Sequence, residues 1–149
     1  MNKKIKNANP YRYDGIDFKS KLERDAYAAF KKADLDVKYE ACTFPLQEAF
    51  VPTVPFYRST KCLPFRNNKT KVPAITYTPD FIIRHGLKLV IIEMKGFPND
   101  VYPVKKKLFR KFLEGMLEEA IQVNAGAKVL FFELKSMREV NKTIDIIKE

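Results

Sequence analysis

Apolar and polar positions change period several times along the chain, and each change predicts an element. Between Tyr11 and Phe18, short apolar-polar alternations flank Asp14-Gly15, a dipeptide suited to a tight hairpin turn. From about Lys21 to Ala33, the residues Leu22, Ala26, Ala29, Phe30 and Ala33 recur at helical spacing. Ser20 stands before them and forms a capping-box pattern with Glu23. Val37 to Phe44 reads as a strand. From Pro45 to Lys71 no period persists, and Pro45, Pro52, Pro55 and Pro64 argue against a long regular element. Two apolar strands around a turn follow within Tyr77 to Gly96. A helix is expected from about Val104 to Val123, ending near Asn124-Ala125-Gly126, then a strand from Lys128 to Glu133 and a last helix from Met137 to Ile147. This order predicts an α/β fold, a central mixed β-sheet flanked by helices.

The two strands between Tyr77 and Gly96 carry charge where a buried hairpin should not. With a type II′ turn centred on Gly86-Leu87, facing residues have numbers that sum to 173, and Asp80 and Glu93 share that sum. They would face each other with Cβ atoms roughly 5 Å apart. Two ionised carboxylates so close call for a cation between them, and an oxygen-donor pair with open positions suits Mg²⁺. Period-2 alternation places Lys95 on the same side of the strand as Glu93 and turns the Met94 side chain into the core. The alternative for Glu93 and Lys95 alone is a salt bridge on a solvated rim. Glu23, on spacing alone, is a helix cap, since the same pattern recurs without chemistry at Ser136-Met137-Arg138-Glu139.

Composition narrows the partners. The 149 residues suit one domain, with an irregular basic insertion at about 45–71. Lys and Arg number 28 against 18 Asp and Glu, a net charge of +10 that points to a polyanion, nucleic acid rather than membrane. Lys105, Lys106, Lys107, Arg110 and Lys111 crowd the start of the long helix, where cations oppose the helix dipole. Arg58, Lys61, Arg66, Lys69 and Lys71 form a second basic group, with Phe56, Tyr57 and Phe65 beside them; Phe65 is expected in the core. Met1 to Asn9 lacks the apolar stretch of a targeting signal, no apolar run is long enough to span a bilayer, and a cytoplasmic protein is expected. Cys42 and Cys62 have no partners at zinc-ligand spacing and are expected to be reduced thiols, and His85 falls at the exposed turn.

Three segments, F-K-S-K-L-E-R (Phe18 to Arg24), Y-T-P-D-F (Tyr77 to Phe81) and I-E-M-K-G (Ile92 to Gly96), together resemble the PD-(D/E)xK nuclease superfamily. Within it they are similar to the phage endonuclease I family of Holliday-junction resolvases and its phage and prophage relatives. The resemblance implies a restriction-endonuclease-like core and hydrolysis of DNA phosphodiesters. It implies that Asp80 and Glu93, with the Met94 carbonyl, bind Mg²⁺, for which Mn²⁺ substitutes. It implies further that Lys95 activates the attacking water and that Glu23 binds or supports a second metal ion. It also implies a homodimer, a branched DNA substrate and a phage or prophage setting in a bacterial host. Two alternatives stand beside the resolvase: a less selective nuclease on duplex, nicked or single-stranded DNA, and a non-catalytic DNA-binding protein with structural carboxylates.

Overall fold

The computed structural model describes residues 10–95 and 100–149. Met1 to Asn9, and Gly96 of the Ile92–Gly96 motif, lie outside them. The chain opens with a hairpin of β1 (Arg12–Tyr13) and β2 (Ile16–Asp17). Asp14 and Gly15 at its turn both take positive φ, 53° and 74°, as a type I′ turn requires. Helix α1 (Lys21–Lys32) follows, with the Glu23 N–H donating to Ser20 Oγ at 3.1 Å. Asp34 in the left-handed region (φ 60°) ends it, and Leu35 N–H donates back to the Phe30 carbonyl at 3.1 Å, closing the helix end.

The expected strand from Val37 to Phe44 is two strands. β3 (Asp36–Tyr39) stops because Glu40 turns left-handed (φ 44°), and Phe44 begins β4 (Phe44–Gln47) in a different pairing. The segment expected to be irregular holds paired backbone. After β5 (Tyr57–Arg58) and β6 (Arg66–Asn67), which pair antiparallel, the chain returns in β7 (Ile75–Tyr77) alongside β4. A bridge joins Phe50 to Val72 between these two pairings. Facing residues keep nearly one register from Phe44↔Tyr77 through Phe50↔Val72 to Tyr57↔Asn67, so residues 44–77 form one interrupted two-stranded ribbon. Its pairings stay short because prolines on both arms cannot donate to the ladder.

β8 (Phe81–His85) and β9 (Lys88–Met94) form the expected hairpin, paired from His85↔Lys88 to Phe81↔Ile92. Gly86 supplies the positive φ of its turn, 57°. Helix α2 (Tyr102–Val123) leads to β10 (Lys128–Leu134), which lies parallel to β9, and α3 (Met137–Lys148) completes the fold. The central sheet has the order β10-β9-β8-β3, with one parallel pair and two antiparallel pairs.

Alternation along the sheet sorts its two faces. Phe81, Ile83, Val90, Ile92 and Met94 pack with Phe30 of α1 and with Val140 and Ile147 of α3. Ile82 and Ile91 pack on the other face with Tyr102, Phe109 and Leu113 of α2 and with Phe44 and Tyr77 at the ribbon's root. Phe109 is fully buried, with the rings of Tyr77, Phe131 and Phe44 at 4.6, 5.2 and 5.3 Å. Truncating such a ring to alanine costs about 3–5 kcal/mol. The ribbon root is therefore part of the core, and it fixes the approach of the chain to Asp80.

Candidate active site

Asp80 stands one step beyond the last paired residues of the β8–β9 hairpin, at the register position opposite Glu93. Its backbone and its side chain are both fastened. The Asp80 carbonyl accepts the Glu40 N–H at 2.8 Å, and Oδ2 accepts the Met94 N–H at 2.7 Å. The carboxylate thus takes the β9 amide that β8 no longer reaches. Asp80 is 9% exposed. Burial, then the charge of Glu93, push its carboxyl up to about 7, against the opposing pull of the Met94 N–H.

Glu93 follows Ile91 on the α2 face of β9. Burial pushes its carboxyl upward, while the hydroxyl of Tyr77, donating to Oε2 at 2.5 Å, and the charge of Lys95 hold it down. The Lys95 ammonium sits 3.3 Å from the centre of the Tyr102 ring, a cation-π contact on the same face. Lys95 N–H donates to the Leu134 carbonyl at 2.8 Å, which fixes the backbone that carries it.

Glu23 occupies its cap. Its Oε2 accepts the Lys19 N–H at 3.2 Å and the Tyr39 hydroxyl at 2.7 Å, and its Oε1 accepts from Ser20 Oγ at 3.1 Å. Glu139 closes the start of α3 in the same way, accepting the Lys135 N–H at 2.5 Å. In this rotamer Glu23 serves the helix, buried but turned toward α1 and β3.

A fourth carboxylate and three tyrosines belong to the same end of the sheet. Glu133 of β10 is the parallel partner of Glu93, and its Oε2 accepts from the Tyr102 hydroxyl at 2.7 Å and from Lys106 Nζ at 3.2 Å. The Tyr102 hydroxyl and Lys106 hold its carboxyl below the usual range. Burial and a carboxylate partner push the hydroxyls of Tyr39, Tyr77 and Tyr102 well above their ordinary value, so all three stay protonated donors near neutrality. The site residues expected from the sequence do not include Glu133 or the tyrosines. A signal is present all the same: V-I-I-E-M (Val90 to Met94) and L-F-F-E-L (Leu130 to Leu134) share one pattern, as parallel neighbours in register would.

The two basic groups are placed differently. Lys105 and Lys106 are half-buried at the start of α2, Lys106 on Glu133, while Lys107, Arg110 and Lys111 are exposed. Arg58, Lys61, Arg66, Lys69 and Lys71 are all exposed toward the tip of the ribbon. Phe65, expected in the core, is 73% exposed, because β5 and β6 pair only with each other, as a two-stranded sheet separate from the central one among the described residues. His85 is exposed as expected, and Cys42 and Cys62 are free thiols.

The donor chemistry fits a hard divalent cation at one point. Among the described residues, Asp80, Glu93 and Glu23 form no ion pair, although Asp80 is buried and Glu93 half-buried. Oxygen donors from Asp80 and Glu93 with a backbone carbonyl match what Mg²⁺ accepts alongside its waters. As the side chains stand, no three acidic, imidazole or thiol groups converge among the described residues, and Glu23 would have to leave its cap to join.

Residues 3–129 match a family described as a protein of unknown function (DUF1064), and the chain belongs to that family. The matched stretch contains Glu23, Asp80, Glu93, Lys95 and the whole ribbon. No curated protein and no solved structure matches the chain. Among the described residues, no helix is long and apolar enough to cross a membrane.

Proposed function

We propose that the chain is a metal-dependent DNA endonuclease of the PD-(D/E)xK type, with a restriction-endonuclease-like core. The observation that carries this reading is the buried Asp80 and the half-buried Glu93 at the register position opposite it, neither of them in an ion pair among the described residues, with Lys95 following on the face of Glu93. A structural carboxylate pair would gain by being paired with a cationic side chain, as Glu133 is with Lys106. Leaving both acids without one makes sense when the missing charge arrives from solution.

Asp80, Glu93 and the Met94 carbonyl would hold Mg²⁺ or Mn²⁺, which supplies Lewis acidity toward a phosphate oxygen and a nucleophilic water. Lys95 lies beside this set, and its ammonium stabilises negative charge growing on the phosphate and orients the attacking water. The Tyr102 ring fixes the ammonium without neutralising it. Tyr77 favours the ionised form of Glu93, against its burial, and aims the carboxylate by donating to Oε2. Glu23 would support a second ion only by exchanging its cap for that role. Lys107, Arg110 and Lys111 extend along α2 from the same end of the sheet and suit phosphate contacts. A dimer, as in the junction resolvases that the motifs resemble, would present two such sites to a branched substrate.

The test is a cleavage assay on a four-way junction, a matched linear duplex and a single strand, each with Mg²⁺ or EDTA. Cutting of the junction alone supports a resolvase, and cutting of all three a less selective nuclease. Tight binding without cutting in Mg²⁺ and Mn²⁺ would make the chain a DNA-binding protein.

A further inference from the structure

We infer that the tip of the ribbon, β5–β6, is a clasp for unpaired nucleic-acid strands, with bases stacked on Tyr57 and Phe65 and phosphates held by Arg58 and Arg66. The inference deepens the DNA-directed reading of the site, yet the binding it describes requires no cleavage.

The two faces of this narrow ribbon carry different chemistry. Tyr57 and Phe65 are diagonal neighbours across the strands, with ring centres 5.9 Å apart and planes 30° apart. They are 56% and 73% exposed, so a stacked aromatic pair of this size is left facing water. Alternation sends Arg58 and Arg66 to the other face, where they are direct cross-strand partners. Like charges in that position are destabilising unless an anion lies between them. A hollow of about 450 Å³ at the tip takes in both arginines, together with Thr60, Leu63, Asn67 and Lys69.

Charge selects the occupant. Between Glu48 and Asp80 the chain holds no acidic residue, while Arg58, Lys61, Arg66, Lys69 and Lys71 all stand there. A second copy set by twofold symmetry on the aromatic face would leave Arg58 and Arg66 of both copies on the outer faces, with their cross-strand repulsion unrelieved. A duplex meets the charge requirement but offers base faces only at its ends. A single strand meets both requirements, because its bases unstack freely and its flexible backbone can pass around a two-stranded ribbon. Every base has a π-face, so the clasp would be tolerant of sequence.

Fluorescence anisotropy in EDTA, with a labelled oligo-dT strand and a hairpin-capped duplex of equal nucleotide number, tests this directly. The single strand is expected to bind more tightly. Phe65→Ala and Tyr57→Ala are each expected to weaken it by about 5- to 150-fold, leaving duplex affinity unchanged. Phe65→Trp restores the strand's affinity. Arg58→Ala is expected to flatten the salt dependence for the strand by about 0.7 of a logarithmic unit for every phosphate it no longer neutralises. Unchanged thermal melting of the variants shows that the weaker binding is not unfolding. Equal weakening for strand and duplex, or none for either, overturns the proposal. So does a dimer that dissociates on Phe65→Ala while strand binding persists, which would assign the tip to a second copy. The Mg²⁺ cleavage assay speaks only to the nuclease reading, so the two ideas fail separately.

Discussion

Replacing Asp80 by asparagine should make the protein more stable and inactive at once. Asp80 is 9% exposed, accepts one backbone N–H and lies opposite Glu93, so its ionised form burdens the fold. Its carboxyl is pushed from an ordinary 3.8 up to about 7, by burial first and by Glu93 second. The folded value lies above the unfolded one, so the folded state holds this proton more tightly. Below about pH 4 both states carry it and the burden is absent. Between about pH 4 and 7 stability falls as pH rises, and above about 7 the burden is complete. At 1.36 kcal/mol per pH unit, the ionised carboxylate costs on the order of 4 kcal/mol. Asparagine keeps the size and an oxygen for the Met94 N–H while removing the charge. Urea denaturation in EDTA should therefore show Asp80→Asn more stable than wild type at pH 8 by roughly 2–4 kcal/mol. The advantage should shrink toward zero at pH 4. Adding Mg²⁺ should raise the wild-type midpoint and leave that of the variant in place. A pH-independent difference, or a variant less stable at pH 8, would refute the claim that this carboxylate is buried without compensation.

Lys95→Ala should reduce turnover by roughly 10²–10⁴-fold with DNA affinity nearly intact, measured by single-turnover cleavage beside a binding titration; an equal fall in both would deny Lys95 its place in the chemistry. Tyr77→Phe removes the hydroxyl that holds the Glu93 carboxyl down, so the acidic limb of the pH–rate profile should move to higher pH. An unmoved limb would mean that Glu93 does not set it. The double change Lys107→Ala with Lys111→Ala should flatten the dependence of duplex affinity on salt by about 0.9 of a logarithmic unit for each phosphate that goes unneutralised. An unchanged slope would take α2 off the DNA.

The parts of the fold legible from the chain are those where local chemistry and tertiary packing agree. The hairpin register follows from one glycine at a turn and the period of two, and these alone place Asp80 opposite Glu93. Helices α1 and α3 follow from their apolar spacing and serine caps. The ribbon does not, because its prolines break each arm into pieces too short to show a period, and its pairing is a long-range match between arms. The break after Tyr39 is hidden for a related reason: a glutamate in the left-handed region carries no glycine or asparagine to announce it. Phe65 misleads because aromatic residues usually mark a core, whereas the strand beside it pairs in a two-stranded sheet apart from the central one. Glu133 joins the site through the parallel alignment of β9 with β10, a pairing between segments more than thirty residues apart that no turn between them sets.

Metal-dependent cutting at Glu93 is tested most directly on supercoiled DNA that carries an extruded cruciform, with wild-type protein and with Glu93→Gln, each in Mg²⁺, in Mn²⁺ and in EDTA. Glutamine keeps the bulk of Glu93 and an oxygen for the Tyr77 hydroxyl but loses the charge that would hold the ion. Only the wild type with a divalent ion should convert supercoiled to open-circular or linear DNA. Equal conversion by Glu93→Gln, or no conversion by the wild type in either Mg²⁺ or Mn²⁺, would contradict it.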